Sequence, residues 1–239
     1  MKLMILLIAG LMLSACVSMD VSTLNTAVPL GEGNLRLGTN AGFGASLTSI
    51  NEWNEIIDDS DDDGIVFPGA YLAGIDASYG VTSTSDVSGK IWMGIGSAGG
   101  RLAYKHVFPQ TENDEYLAFM PSVAASYSEW VHGANGEQYQ DYLGAGGVEG
   151  QVLYTKVVSE YFQATLNAQF GSYLYHEWDG QHGESLWGNI SRLGAGGNLR
   201  FGVKPLFLTI EPGAQVFVSS NGGFSYLPYA MVGLSIDLE

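Results

Sequence analysis

What most constrains this chain is an alternation of apolar and polar residues with a period of two, sustained through its last third. In "FQATLNAQFGSYL", Phe162, Ala164, Leu166, Ala168 and Phe170 alternate with Gln163, Thr165, Asn167, Gln169 and Gly171. The stretches "RLGAGGNLRFGV" and "LFLTIEPGAQVFV" repeat the pattern, as does the run through Val232, Leu234, Ile236 and Leu238. Successive side chains of a strand point to opposite faces, so alternation of this length specifies β-structure and leaves little room for helix.

Periodicity does not say which face is inside. A soluble lipocalin-like barrel is apolar within and polar without, and a membrane barrel is the reverse. The polar face decides between them. It carries mostly Gly, Ser, Thr, Asn and Gln, with isolated charges of both signs: Arg36, Asp76, Lys90, Glu149, Arg192, Arg200, Glu211 and Asp237. A water-facing surface carries about 25–35% charged residues, whereas the whole chain has 14%. A crowded lumen suits small residues and a few compensating ion pairs, because unpaired buried charge is costly. These eight residues are therefore expected to form a lumen charge network, with Arg36, Arg192 and Arg200 facing Glu149, Glu211 and Asp76 in a pairing that the sequence does not specify.

Ten segments read as strands, near 34–46, 70–81, 88–97, 100–108, 116–130, 141–154, 160–176, 185–203, 206–218 and 224–238. Most reach the roughly 9–11 residues that a tilted spanning strand needs. The expected fold is all-β: a single antiparallel up-and-down barrel of about ten strands (eight to twelve), of transmembrane type, with an even count that puts both ends of the barrel chain on the periplasmic side. Short connections ("TSTSD", "PQTEND", "VKP") fall on that side, and three longer ones (47–69, 131–140, 177–184) fall outside. Trp130, Trp178 and Trp187 lie beside the outer connections, where an interfacial aromatic girdle sits.

Over residues 33–239 the pattern resembles outer-membrane β-barrel proteins as a class. Such barrels usually end in an aromatic residue, and this sequence ends Asp237-Leu238-Glu239, a departure that points to non-standard assembly or to anchoring without insertion. At the other end, Lys2 and the apolar run Leu3 to Leu13 read as a secretory signal, too short to span a bilayer. Leu13-Ser14-Ala15-Cys16 resembles the bacterial lipobox, which implies cleavage before Cys16 and lipidation of its thiol. Val17 follows where an inner-membrane retention signal often has Asp, so the resemblance favours the outer membrane of a Gram-negative-type envelope. The expected organisation is a signal peptide at 1–15, a lipidated periplasmic tether at 16–32 and the barrel at 33–239. Cys16 is the single cysteine, so the mature chain has no disulfide chemistry.

Two polar clusters are candidate sites. "DDSDDDG" places Asp59, Asp61, Asp63 and Gly64 at the first positions of an EF-hand-type calcium loop, with the Ile65 carbonyl next in order. Its twelfth position is Ala70 rather than a bidentate Glu, so Glu52 or Glu55 would have to complete it and affinity would be weak, about 10⁻⁴–10⁻³ M. The bland alternative is a solvated acidic loop. In "YHEWDGQHGES", His176, Asp179, His182 and Glu184 could bind zinc or form an acid–base pair. Here the bland alternative is a polar loop above an aromatic belt.

The net charge of −16 argues against nucleic acid. Expected partners are outer-membrane lipids and an extracellular or envelope protein, with the chain a monomer. No cofactor is called for besides Ca²⁺. The leading expectation is a lipid-anchored barrel with a structural or surface-interaction role. Its rivals are an outer-rim enzyme acting on lipid or peptide, with omptin-like architecture, and a lipocalin-like binding barrel held at the membrane by lipid.

Overall fold

A computed structural model describes residues 18, 19, 22, 24–46, 69–94, 97–108, 114–134, 137–180, 182–220 and 224–239. Of residues 18, 19, 44–46, 69, 70, 130–134, 137–139, 224 and 225 it describes only the backbone. A two-residue strand β1 (Ser18–Met19) precedes ten barrel strands: β2 (Leu35–Ser46), β3 (Gly69–Thr82), β4 (Ser85–Gly94), β5 (Ser97–Val107), β6 (Glu115–Ala134), β7 (Glu137–Ser159), β8 (Phe162–Asp179), β9 (Glu184–Val203), β10 (Leu206–Ser219) and β11 (Phe224–Leu238). Each barrel strand pairs antiparallel with its sequence neighbour, and β2 pairs with both β3 and β11. The sheet thus closes on itself and leaves no edge, which removes the row of unpaired amides that an open sheet exposes.

The alternation resolves in favour of an inside-out barrel. Leu166, Leu199 and Ile210 are 66%, 41% and 39% exposed, while Gln169, Asn198 and Glu211 are fully buried. The outer wall is a belt of Leu, Ile and Val, with Leu37, Ile75, Ile91, Leu102, Val123, Val148, Leu193 and Val232 all on it. Tyr71, Tyr127, Trp187 and Tyr226 border the belt near one end, and Tyr79, Tyr104, Phe108, Tyr154 and Tyr161 near the other. That is the surface polarity of a transmembrane barrel and the opposite of a lipocalin. Of the three tryptophans expected in a girdle, Trp187 is exposed on the outer wall and Trp178 is half-buried against Tyr142. The side chain of Trp130 lies outside the described residues.

The two ends differ. At one end the connections between described strands are short, and β3 meets β4 across Ser83 and Thr84. At the other end β2 and β3 are joined by the chain's longest connection, and β6 to β9 run 20, 23, 18 and 20 residues, beyond what a belt needs. By the usual asymmetry of such barrels this second end is the outer one. Of the segments expected as loops, 131–140 is strand wherever it is described, and 177–184 is strand at 177–179 and 184. The β6–β7 ladder continues to Ala134↔Glu137 and the β8–β9 ladder to Asp179↔Glu184. Backbone pairing persists past the belt because it needs no apolar face.

The largest departure concerns the segment expected as a periplasmic tether. Ser22, Thr26 and Ala27 are fully buried, and residues 22, 24–28 and 30 bond to inward side chains around the barrel. The segment runs down the lumen. Its upper end, β1, pairs with β2 at the outer rim (Ser18↔Ser46, Met19↔Ala45), so it does not hang below the barrel. At the lower end the chain reverses into β2 through a tight turn, with the Gly33 amide donating to the Gly80 carbonyl and the Gly80 amide to that of Asn34. Gly31 and Gly33 hold φ near +85° there, a region that side chains resist. A Cβ on Gly80 would lie 1.8 Å from the Gly31 carbonyl oxygen, so the reversal is built around these glycines. Lipidation and cleavage at Cys16 lie outside the described residues.

Candidate functional site

The inward residues fall into two layers. Toward the outer end the lumen is filled by Leu72, Trp92, Leu143, Tyr173, Tyr175, Ile190, Phe217, Leu227, Tyr229 and Met231, all nearly inaccessible. Four of its five rings take space from a neighbour across the ladder, and glycine supplies it. Trp92 faces Gly99, Tyr173 faces Gly147, Tyr175 faces Gly188 and Tyr229 faces Gly213. A Cβ on any of these four glycines would come within 2.6 Å of the ring.

Below that layer the lumen is polar and charged. Glu149 lies at its centre, 2.7 Å from Arg101 Nε and 3.0 Å from Arg192 Nη2. Ser122 Oγ (3.0 Å) and the Tyr173 hydroxyl also donate to it. All three ionised side chains are at most 5% exposed. Lower down, Asp237 bridges Arg36 (2.7 Å) and Arg200 (2.8 Å), and Asp86 holds Lys105 at 2.6 Å. Arg36 sits directly opposite Asp237, and Lys105 opposite Asp86, so the β-ladder sets both pairs. Glu211 accepts from Tyr229 Oη and Asn167 Nδ2, and Asp76 accepts from Asn40 Nδ2.

All eight residues expected in the lumen lie there. Arg192 pairs with Glu149, one of the acids expected to face it, whereas Arg36 and Arg200 share Asp237 instead. Three members were missed: Asp86, Arg101 and Lys105. Arg101 and Lys105 stand four apart in "RLAYKHV", with Leu102 and Tyr104 exposed between them, so the period-two signal was present in the sequence. Six of the nine Lys and Arg residues are buried in the lumen. The acid excess of the whole chain is therefore not a property of the interior.

The threaded segment lies on this charged wall. Arg101 donates to the Ser22 carbonyl oxygen (2.9 Å), Asn198 to that of Asn25 (2.7 Å), and Lys105 to those of Thr26 and Val28 (3.0 and 2.8 Å). The Leu24 amide donates to Glu211, the Ala27 amide to Thr155 Oγ1 (2.7 Å), and the Leu30 amide to Asp86 (3.2 Å). Lys90 Nζ donates to Ser22 Oγ at 2.8 Å. A buried segment without strand partners must place its backbone groups somewhere, and here the wall takes them. The space left between it and Asp76, Lys90 and Arg101 is about 20 Å³, room for about one water. A far larger concavity, about 810 Å³, lies on the outer wall among Leu37, Ile75, Ile91, Leu102 and Val123, where an apolar belt leaves it to acyl chains.

The histidine cluster does not converge. Strand geometry puts residues three apart on opposite faces, and His176 lies on the outer wall, its ring 4.4 Å from Trp187 and 6.0 Å from Tyr142. Asp179 instead shapes the turn into β9. Its carboxylate accepts from the His182 amide (3.1 Å) and lies 2.6 Å from His182 Nδ1, and its carbonyl accepts from the Gly183 amide. The hydrogen bond to Asp179 raises the pKa of exposed His182 above its ordinary value. Glu184 is exposed opposite Asp179. Among the described residues no group of three or more His, Cys, Asp and Glu could hold a metal ion, which removes the zinc reading. Asp59, Asp61, Asp63, Ile65 and Glu55, the calcium candidates, lie outside the described residues.

No family model matches the sequence, and no curated protein does. The fold is similar to the outer membrane protease OmpT from Escherichia coli, at 8% identity over 86% of this chain and 91% of that one, with a TM-score of 0.48. It is also similar to Ail, the attachment invasion locus protein of Yersinia pestis (11% identity, 87% and 99% coverage, TM-score 0.34). A third likeness is to the N-terminal β-barrel domain of OprF from Pseudomonas aeruginosa (11%, 87% and 99%, TM-score 0.27). At these identities no residue role carries across from one chain to the other.

Proposed function

We propose that this protein is a lipid-anchored barrel of the Gram-negative outer membrane that works as a closed scaffold, presenting its outer rim to an envelope or extracellular protein. One observation carries the reading: an apolar belt between two aromatic borders surrounds a lumen occupied by its own chain. Insertion follows from the belt, because exposed Leu, Ile and Val over a whole circumference are stable only against acyl chains. Closure follows from the aromatic layer and from the segment beneath it. The lipobox-like Leu13-Ser14-Ala15-Cys16 supports the anchor. Acidic residues 52–63 would add charge to the working surface, ordered by Ca²⁺ if that loop binds it.

Among the described residues His176 and His182 serve different surfaces, so the pair on which the rim-enzyme reading rests does not form. Purified protein in planar lipid bilayers, checked for heat-modifiable gel mobility, tests the proposal. A folded, detergent-dependent barrel without conductance steps is expected. Stable open-channel steps, or a Cys16→Ala form that is freely soluble and folded, would overturn it.

A further inference from the structure

The direction of the threaded segment has a topological consequence. The segment descends from the outer rim, where β1 pairs with Ala45 and Ser46, to the turn at Gly31–Gly33, and β11 brings the chain back to the lower end, where Leu238 pairs with Leu35. The two ends of the described chain therefore lie on opposite sides of the belt. An up-and-down barrel with an even number of strands normally keeps both on the periplasmic side.

How the wall holds the segment bears on what it can hold. Seven main-chain groups, four carbonyls and three amides, accept from or donate to lumen side chains. Carbonyls meet Arg101, Lys105 and Asn198; amides meet Glu211, Thr155 and Asp86. Most of this matching follows the peptide backbone, which every extended polypeptide shares. Ser22 is also held through its side chain, by Lys90 Nζ, while the side chains of Thr26 and Val28 accept or donate in none of these contacts.

We infer that the lumen is a binding channel for the main chain of an extended polypeptide, that its resident is this protein's own N-terminal segment, and that the channel delivers the N-terminal end to the cell exterior. The C-terminal end stays in the periplasm. Combined with the lipoprotein reading above, on which this last step rests, the lipid belongs to the outer side of the membrane. Cys16 stands two residues before Ser18, and two residues span at most about 7 Å. An inner-leaflet lipid would require the segment to leave the lumen.

The test uses the full-length chain expressed in intact Gram-negative cells. One epitope is inserted between Val17 and Ser18, and in a second form after Glu239, with heat-modifiable mobility confirming that each barrel is folded. Antibody should label the first epitope on intact cells and the second only after the outer membrane is permeabilised. An N-terminal epitope that needs permeabilisation overturns the inference. Should the insertion block assembly, Ser18→Cys labelled with a membrane-impermeant maleimide, against the parent chain as background, gives the same reading. A Thr26→Ala/Val28→Ala variant should keep its surface labelling; severalfold loss from a folded barrel would overturn main-chain recognition. Palmitate incorporation is followed in parallel. Surface labelling without palmitate removes the lipid anchor and leaves the threaded topology standing, and palmitate without surface labelling does the converse.

Discussion

The outer and lower halves of the lumen are filled by different physics. Around Trp92, Tyr173, Tyr175 and Tyr229 the interior is packed like the core of a soluble protein, ring against glycine, with dispersion and burial as the cohesive terms. Around Glu149, Asp237 and Asp86 it is held by ion pairs and by hydrogen bonds to a threaded backbone. The first half needs volume, the second needs every charge and backbone group matched. A strand's period of two fixes which residues point inward in both halves but says nothing of which kind of filling they make.

The comparison is broken most severely at Glu149. Glu149→Leu leaves the Arg101 and Arg192 guanidiniums buried without their carboxylate, and breaking a buried pair costs about 3–5 kcal/mol. Denaturant unfolding in detergent should show this loss. Arg101→Met and Arg192→Met added together to Glu149→Leu should recover most of it, since a well-packed apolar replacement of a buried ion group is often neutral. Failure of the triple variant to recover would mean that the charges do more than fill space. In the outer half Leu143→Ala, at 1% exposure, should cost about 2–5 kcal/mol through the lost contacts and the cavity left behind. No charge change elsewhere should restore it.

Thr155→Val removes the oxygen that accepts from the Ala27 amide while nearly preserving shape. The expected loss is about 1–3 kcal/mol, because the Ala27 amide is left buried without an acceptor, read as faster hydrogen exchange at residues 24–30 with the wall amides unchanged. Equal acceleration in wall and segment would mean that the two halves unfold as one. The smallest effect belongs to the outer turn. Because Asp179 raises the pKa of His182, their contact is fully present at pH below the ordinary histidine value and is lost as pH rises through the raised one. In NMR titration Asp179→Asn should bring His182 back to ordinary titration without shifting the unfolding midpoint, since the pair is exposed to water and screened.

Much of the wall was legible in the sequence. Alternation at Phe162–Phe170 and Leu206–Ile210 placed apolar residues outward, and the sparse charges on the polar face named eight lumen residues. Three further members were missed: Arg101 and Lys105 in β5, and Asp86 at the start of β4. Asp86 falls in the stretch "TSTSD", read as a connection rather than as part of the strand near 88–97, and the charges of the segment near 100–108 were not read for which face they take. The aromatic layer was missed for a different reason. Trp92, Tyr173 and Tyr175 belong inside only because glycines stand opposite them on neighbouring strands, and cross-strand partners are not visible along one strand. The histidine cluster misled because closeness in sequence was taken for convergence, whereas His176 and Asp179 differ by an odd number of positions. Threading of residues 22 and 24–30 left no periodic signal, since a segment held largely by its backbone needs no pattern in its side chains.

The central claim is that these residues line the inside of the barrel and are not a tether in water. Hydrogen exchange of the full-length protein in detergent micelles tests it most directly. If the Leu24, Ala27 and Leu30 amides are held by Glu211, Thr155 and Asp86, the 22–31 stretch should be protected to the same order as the amides of β8 and β9. Exchange of that stretch at the rate of unstructured chain, with the barrel strands protected, would contradict the account.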